Sequence, residues 1–178
     1  CIPRKDFIKM HIKFREEGYF LSGGYFKLPM DISEEITSED IISQRCFDKA
    51  WLKAKGLKSS LKNSKLTAGR KRAKFLNSLT PTGATWNGHN SSGWKKDILA
   101  VNGFDERMQY GGEDRELGER LFNLGIKTKQ IRYSAVCVHL EHSRGYVNQE
   151  AIELNNSIRG KVKAENWIET PYGIRKSG

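Results

Sequence analysis

The chain has 178 residues, with 31 Lys and Arg against 21 Asp and Glu, which gives a formal net charge of +10 and an isoelectric point near 9.6. A chain of this length buries roughly 70% of its unfolded surface, and its content of apolar residues and glycine is close to the globular average, which excludes disorder of the whole chain. Its cysteines, Cys1, Cys46 and Cys137, form no C-x-x-C pair, which disfavours a disulfide framework or a zinc ribbon and favours a reducing compartment.

The first part of the chain carries a strand pattern followed by a helix start. Residues 18–28 alternate aromatic and small side chains around a glycine pair, which predicts a strand or a hairpin. Thr37 and Asp40 have the spacing of a capping box, in which two side chains satisfy backbone amides at the start of a helix. The apolar-periodic residues around this box predict a helix over 38–54.

Residues 49–76 form a basic amphipathic stretch, called the basic segment below. From Lys49 to Lys74 it holds ten basic residues and no acidic one, interspersed with apolar side chains. This composition is typical of a surface that meets phosphate groups, either of anionic lipids or of nucleic acid. A solvated surface that only keeps the protein soluble is an equally open alternative, because runs of like charge often do no more.

The remaining sequence alternates strands with helices. The predicted elements are a strand at 92–96, a helix at 97–101, a helix at 113–124, a strand at 127–140 and a helix at 148–159. The longest apolar runs, 98–101 and 135–138, are too short for a membrane helix, which needs about 20 residues, or for the core of a signal peptide. The alternation predicts the α/β class for a single domain over 1–178.

The densest group of chemically active residues is Gly111-Gly112-Glu113-Asp114, at the start of a predicted helix. Acidic residues in a first helical turn are favourable on electrostatic grounds, so capping alone could explain the two carboxylates. Capping does not require the glycine pair, which lets the backbone bend sharply and lets a ligand approach. A carboxylate at this position could take a proton from a sugar hydroxyl as a general base.

A second group, His139, Glu141 and His142, lies at the predicted end of a buried strand. Ligands of α/β sheets bind at strand ends. In an extended chain the two histidines face opposite sides, so at most one of them points into a given pocket unless the strand ends between them. A surface or hydrogen-bonded histidine is the alternative for each.

Three separated motifs, Asn90–Glu106, Gly111–Leu121 and His139 after a strand, occur in an order that resembles the C-terminal half of family 2 glycosyltransferases of the GT-A fold. They also resemble the C-terminal module of galactosyltransferases and chondroitin polymerases. The resemblance implies a mixed sheet flanked by helices and a hexosyltransferase activity that inverts the anomeric centre. It further implies a role in bacterial surface polysaccharide synthesis.

The opening of the chain, Cys1–Ile8, is similar to the segment that directly follows the metal-binding D-x-D motif of bacterial members. We therefore expect the chain to be the acceptor-binding and catalytic-base half of a longer protein, with the half that binds most of the nucleotide preceding it. The fragment alone is expected to be inactive.

The resemblance also implies roles for individual residues. Asp114 is the expected general base, and Glu113 is its catalytic neighbour that binds the acceptor. The expected acceptor-binding residues are Gly111, Gly112, Trp86, Asn90 and Trp94. His139, or alternatively His142, is the expected ligand of a divalent metal, Mn²⁺ or Mg²⁺.

The implied partners are a nucleotide-diphosphate sugar, a glycan or lipid-linked acceptor, and the anionic inner face of the cell membrane, in the cytoplasm. The alternative function is a nucleic-acid-binding module, in which the basic segment contacts phosphates while Trp51, Trp86 and Trp94 stack on bases. Against it, the acidic motif would repel a polyanion, and the sequence has no RNP, KH or helix-turn-helix signature.

Overall fold

A computed structural model describes residues 1–80, 83–143 and 145–175. Contacts divide the chain into two compact units, which are described separately. Unit 1 comprises Cys1–Phe14, Gly23–Gly83 and Gln130–Ser143, and unit 2 comprises Arg15–Ser22, Ala84–Lys129 and Arg144–Gly178. The sequence-based assignment of a single domain stays a prediction.

Within the described residues the strands and α-helices are, in chain order, β1 (Ile2–Pro3), α1 (Phe7–Phe14), β2 (Tyr19–Ser22), β3 (Gly24–Lys27), α2 (Met30–Glu34), α3 (Ser38–Ile42), α4 (Lys49–Ala54), α5 (Ser64–Thr67), α6 (Arg70–Leu79), β4 (Ser91–Ser92), α7 (Lys95–Ala100), α8 (Glu113–Asn123), β5 (Lys127–Gln130), β6 (Val136–His139) and α9 (Gln149–Ala164). Short 3₁₀ turns lie at Arg45–Phe47 and Leu61–Asn63. No helix in the described part of the chain combines the length and the apolar character that crossing a membrane requires.

Unit 1 is built on a mixed three-stranded sheet with the order β1-β6-β3. The central strand β6 runs antiparallel to β1 and parallel to β3, with Lys27 of β3 in register with His139. Strand β6 contains most of the apolar run 135–138, and its first three residues are buried. The predicted α/β class with a mixed sheet flanked by helices is therefore confirmed.

Apolar side chains from the helices of unit 1 cover this sheet. Ile32 of α2, Leu52 of α4 and Leu66 of α5 belong to one buried cluster with Phe26 and Val136 of the sheet. Leu52 and Leu66 both come from the basic segment, which is folded as separate short helices. Helices α4 and α5 of the segment turn these leucines inward. Most of the lysines and arginines of the segment stay exposed.

The predicted helix over 38–54 is wrong as one continuous helix. The predicted capping box is confirmed, because the Asp40 N–H donates to Thr37 Oγ1 and the Thr37 N–H donates to Asp40 Oδ2. Helix α3 nevertheless ends after five residues, and Gln44 adopts a left-handed conformation with φ of 63°. Asp48 then caps a new helix by accepting the N–H groups of Ala50 and Trp51.

Two predicted strand regions differ from the structure in the same way. Strands β2 and β3 occupy the predicted 18–28 region, but they pair in different sheets, so they form no hairpin. The predicted strand over 127–140 is likewise two strands, β5 and β6, also in different sheets. A turn separates them, in which the N–H groups of Ser134 and Ala135 both donate to the carbonyl of Ile131.

Unit 2 contains the sheet β4-β2-β5, in which β2 and β4 pair antiparallel, and the helices α7, α8 and α9. Phe20 of β2 packs in a cluster with Trp86, Val101, Leu117 and Leu121. The predicted helices at 113–124 and 148–159 are confirmed as α8 and α9, although α9 extends five residues further. These elements position the glycine-rich turn at the start of α8.

Candidate active site

The turn that precedes α8 has a left-handed backbone at both glycines. Gly111 has φ of 121° and Gly112 has φ of 104°, and α8 begins directly after them at Glu113. Residues that carry a Cβ atom rarely adopt such positive φ angles. The glycine pair therefore permits the sharp backbone bend that the sequence predicts before α8.

The space beside each glycine is filled by helix α9. A Cβ atom on Gly111 would lie 3.1 Å from Cγ1 of Ile152, and one on Gly112 would lie 3.3 Å from Cδ of Arg159. Asn155 of the same helix donates to the carbonyl of Gly111 at 3.2 Å. Because glycine has no side chain, α9 can pack closely against the turn, which is a structural reason for the two glycines. Their contact with an acceptor stays a prediction.

Both carboxylates of the motif are held by backbone amides. The Gly111 N–H donates to Glu113 Oε2 at 2.9 Å, so the Glu113 side chain folds back over the turn. The Gly88 N–H donates to Asp114 Oδ2 at 2.9 Å, and the Arg115 N–H donates to Asp114 Oδ1 at 2.7 Å. The two side chains are half-buried. These bonds orient the carboxylates while leaving lone pairs able to accept a further proton or hydroxyl.

A cleft of about 380 Å³ opens at this turn, within unit 2. Its lining residues are Tyr110, Gly111, Gly112, Glu113, Asp114, Arg115, Asn156 and Arg159. The ring of Tyr110 meets that of Tyr146 edge to face, with centroids 4.9 Å apart. Arg159 is fixed by a two-pronged ion pair with Glu119, at 2.5 and 3.2 Å. The cleft therefore combines carboxylates, a guanidinium group and an aromatic ring, which is a suitable set for a polar ligand such as a sugar.

Sequence reasoning missed the contribution of α9 to this cleft. Residues Ile152, Asn155, Asn156 and Arg159 have the i, i+3, i+4, i+7 spacing of one helical face. Three of the four are polar, so a search for apolar periodicity does not detect this face. The spacing itself was the available signal.

The three other predicted acceptor residues lie in unit 2, in different surroundings. Trp86 is 8% exposed and packs between Phe20 and Gly118, where a Cβ atom on Gly118 would lie 2.9 Å from the Trp86 amide nitrogen. Asn90 is buried, and the half-buried Trp94 donates its indole N–H to the carbonyl of Glu16 at 2.8 Å. The burial of Trp86 gives it a role in the core. The acceptor contacts of all three stay predictions.

The histidine group lies in unit 1, at the end of strand β6. The strand ends at His139, so the ring of His142 turns back to within 5.6 Å of the His139 ring, measured between centroids. His139 Nδ1 lies 3.2 Å from Sγ of Cys1, and Glu141 forms an ion pair with Lys27. The two imidazoles are therefore neighbours. The sequence analysis allowed for this only if the strand ends between the two histidines, and it does.

The histidine pair fits part of a metal site. Two adjacent imidazoles can supply nitrogen ligands to a divalent cation. Over residues 1–80, 83–143 and 145–175, no three or more His, Cys, Asp and Glu side chains converge in a way that could hold a metal ion. Any metal bound by His139 or His142 would need oxygen ligands from the substrate or from elsewhere.

Residues 80–143 match a family model described as the N-terminal domain of galactosyltransferase. This range contains every residue that the sequence analysis places at the site, from Trp86 to His142. No curated protein and no solved structure matches the chain. The match covers about a third of the chain and supports a glycosyltransferase-related domain.

Proposed function

We propose that this chain carries the acceptor-binding and catalytic-base part of an inverting glycosyltransferase that uses a nucleotide-diphosphate sugar. The observation that carries the proposal is the cleft at the start of α8, where backbone amides orient the carboxylates of Glu113 and Asp114. The family match over the same residues supports it.

In the proposed reaction, the Asp114 carboxylate takes the proton of an acceptor hydroxyl as the hydroxyl oxygen bonds to the anomeric carbon of the donor. The bond from that carbon to the diphosphate oxygen breaks in the same step, and its electron pair leaves with the diphosphate. Attack and departure on opposite faces invert the anomeric centre. Glu113, with its second carboxylate oxygen, accepts a hydrogen bond from a neighbouring acceptor hydroxyl.

The other side chains of the cleft would bind the acceptor. Tyr110 offers a ring face of the kind that packs on sugars, while Asn156 offers amide hydrogen-bonding groups. A divalent cation, Mn²⁺ or Mg²⁺, would neutralise charge on the departing diphosphate when bound, and His139 or His142 would be the ligand from this chain. Inactivity of these 178 residues alone is part of the proposal, because the resemblance assigns most of the donor site to the other half of the fold.

The physiological setting is part of the proposal. The acceptor would be a glycan or a lipid-linked glycan in the synthesis of a bacterial surface polysaccharide, in the cytoplasm. The basic segment would contact the anionic inner face of the membrane. The nucleic-acid alternative loses one of its three stacking residues, because Trp86 is packed in the core of unit 2.

The test compares Asp114→Asn with a matched control in the full-length protein, using a panel of nucleotide-diphosphate hexoses as donors. Asp31→Asn is the control, because Asp31 also lies in the first turn of a helix and also accepts the next backbone N–H, from Ile32 at 2.9 Å. We expect Asp114→Asn to slow transfer by roughly 10²- to 10⁴-fold, with donor affinity and the melting temperature unchanged. Asp31→Asn should transfer at the normal rate.

A normal transfer rate in Asp114→Asn would show that the carboxylate is structural. A rate loss that only follows a lower melting temperature, or that Asp31→Asn shares, would also contradict the assignment of Asp114 as the base.

A further inference from the structure

A second cleft, of about 560 Å³, lies in unit 1 and contains none of the candidate catalytic residues. Its walls are helix α1, the link between α5 and α6, the first half of α6, and the turn before β6. The residues used below are Arg4, Asp6 and Lys13 on one side, and Arg70, Lys71 and Lys74 on the other. The α6 side of the cleft belongs to the basic segment.

The rim of this cleft has an excess of positive charge. Arg4 is already neutralised, because its Nε donates to Asp6 Oδ1 at 2.7 Å and its Nη2 donates to the Ser134 carbonyl. Among the described residues that line the cleft, Asp6 is the only acidic one. Four cations remain at the rim, and within the described residues none of their side chains forms a hydrogen bond or an ion pair: Lys13, Arg70, Lys71 and Lys74. An anion of external origin would therefore find several unpaired partners there.

The floor of the cleft is largely apolar. Met10, Leu66 and Ala73 are less than a tenth exposed, and Phe14 lies beside them, half-buried. A free inorganic anion has no apolar surface to bury on such a floor, and a sugar has only the small C–H faces of its ring. A molecule that joins an anionic head to an apolar chain would use both the rim and the floor.

The helices that form the walls also expose large apolar side chains. Ile8 and Ile12 on α1 are 66% and 53% exposed, and Phe75 and Leu79 on α6 are 61% and 59% exposed. Each pair is spaced by four residues and therefore lies on one side of its helix. Exposed apolar side chains combined with lysine and arginine on the same helix are typical of proteins that lie at a membrane interface.

We propose that this cleft binds the phosphate headgroup of an anionic lipid, with the lipid chain lying over Met10, Phe14, Leu66 and Ala73. Charge complementarity argues for the phosphate, and the apolar floor and exposed apolar side chains argue for a lipid as its carrier. This inference rests on the proposed membrane contact of the basic segment and specifies where and how that contact is made. It uses no step of the proposed sugar transfer.

The test compares two double variants that remove the same charge from the basic segment. Lys71→Gln/Lys74→Gln changes the rim, whereas Lys53→Gln/Lys58→Gln changes exposed lysines outside the cleft. Binding is measured with the 178-residue chain on phosphatidylcholine vesicles with and without phosphatidic acid, after circular dichroism has confirmed folding. We expect the rim variant to weaken binding to the anionic vesicles about tenfold more than the control variant.

Equal weakening of vesicle binding by the two variants would overturn the assignment of the cleft as the lipid site, and it would leave a diffuse contact between the basic segment and the membrane. No binding of the unmodified chain to anionic vesicles would overturn both. Sugar transfer to a soluble acceptor is measured separately, so failure of the lipid site is distinguishable from failure of the proposed enzyme function.

Soluble probes distinguish the sources of the phosphate. Short-chain phosphatidic acid should compete with the vesicles, and inorganic phosphate at the same concentration should not. Equal competition by both would reduce the cleft to a general anion site and overturn the inference. Tighter binding of a single-stranded RNA, lost in the rim variant, would overturn it in favour of nucleic acid.

Discussion

The two units of the chain use charge in opposite ways. Unit 1 has seventeen Lys and Arg against eight Asp and Glu, whereas unit 2 has fourteen against thirteen. Among the described residues, the buried Asp, Glu and Arg side chains are Asp40 in unit 1, and Asp97, Asp105, Glu116 and Arg120 in unit 2. Unit 1 therefore keeps its charges at the surface, while unit 2 uses several of them inside to fix its own backbone.

Surface charge in unit 1 is poorly balanced from within. At the partly buried Lys65, burial is the main cause of a pKa below the usual value, and the nearby positive charges of Arg132 and Lys62 lower this pKa further. Excess charge of this kind is balanced by solvent ions or by an anionic partner. The distribution fits the proposed membrane contact of unit 1.

Buried polar groups in unit 2 hold the stretch that leads to the candidate active site. Arg120 donates to the carbonyl of Gly103 at 2.6 Å, and Asp105 accepts from Arg107 and from Thr170. Asn155 donates to the carbonyl of Gln109 at 2.9 Å. A backbone fixed at these points presents the two carboxylates in one arrangement, which a general base requires.

The largest expected effect is that of Arg120→Met. It would leave the buried Glu116 carboxylate and two backbone carbonyls without their cation, and we expect it to cost about 3–5 kcal/mol of unfolding free energy. Lys55→Met is the control in unit 1, where the ion pair with the half-exposed Glu35 contributes less than about 1 kcal/mol. Urea unfolding measures both, and similar losses would contradict the contrast between the units.

Asp105→Asn should have the next largest effect. Burial alone would raise the pKa of Asp105, but hydrogen bonds from Arg107 and Thr170 lower it below the usual value. The stability that follows is complete above about pH 4 and is lost as the pH falls through the lowered pKa. We expect Asp105→Asn to cost about 1.5–3 kcal/mol at neutral pH and to flatten the acid side of the stability profile.

Thermal melts at several pH values, with the exposed Asp31→Asn as control, check this prediction. If the melting temperature of Asp105→Asn falls with decreasing pH as steeply as that of the unmodified chain, other carboxylates dominate the acid sensitivity of unit 2.

Gly111→Ala tests whether the turn itself is rigid. The left-handed backbone and the approach of Ile152 should together cost about 1–2 kcal/mol. Gly160→Ala is the matched control, because a Cβ atom there meets nothing within 4 Å on helix α9, and we expect it to stabilise by about 0.4–1 kcal/mol. Differential scanning calorimetry should show shifts of opposite sign, and a neutral Gly111→Ala would mean that the turn tolerates other conformations.

The parts that sequence reasoning predicted correctly are governed by local physics. The leucines of α8 recur with a helical period, and Thr37 and Asp40 lie three residues apart in the chain. The positions of the carboxylates at the start of α8 follow from the same local pattern.

The errors concern interactions between distant residues and one unusual backbone conformation. Strands β2 and β3 are adjacent in sequence, but pairing with β4 and β6 decides their sheets, and such pairing has no local signal. Gln44 breaks the predicted helix in a left-handed conformation that glutamine rarely adopts. Contacts from α9 to the glycine turn join residues about forty positions apart. The only sequence signal for these contacts was that the α9 residues share one helical face.

The smallest expected effect is that of Thr37→Ala, which tests Asp40, the buried carboxylate among the described residues of unit 1. Asp40 is held by its neighbour, because the backbone N–H and the hydroxyl of Thr37 lower the pKa of Asp40. Thr37→Ala removes the hydroxyl that caps α3, and we expect a loss of about 1 kcal/mol, which Thr37→Ser should restore. Thermal melts of the three proteins measure it. A local cap involves two residues three positions apart, whereas the Arg120 network ties α8 to the carbonyls of Val101 and Gly103. A loss from Thr37→Ala as large as that from Arg120→Met would therefore mean that unit 1, like unit 2, depends on buried charge.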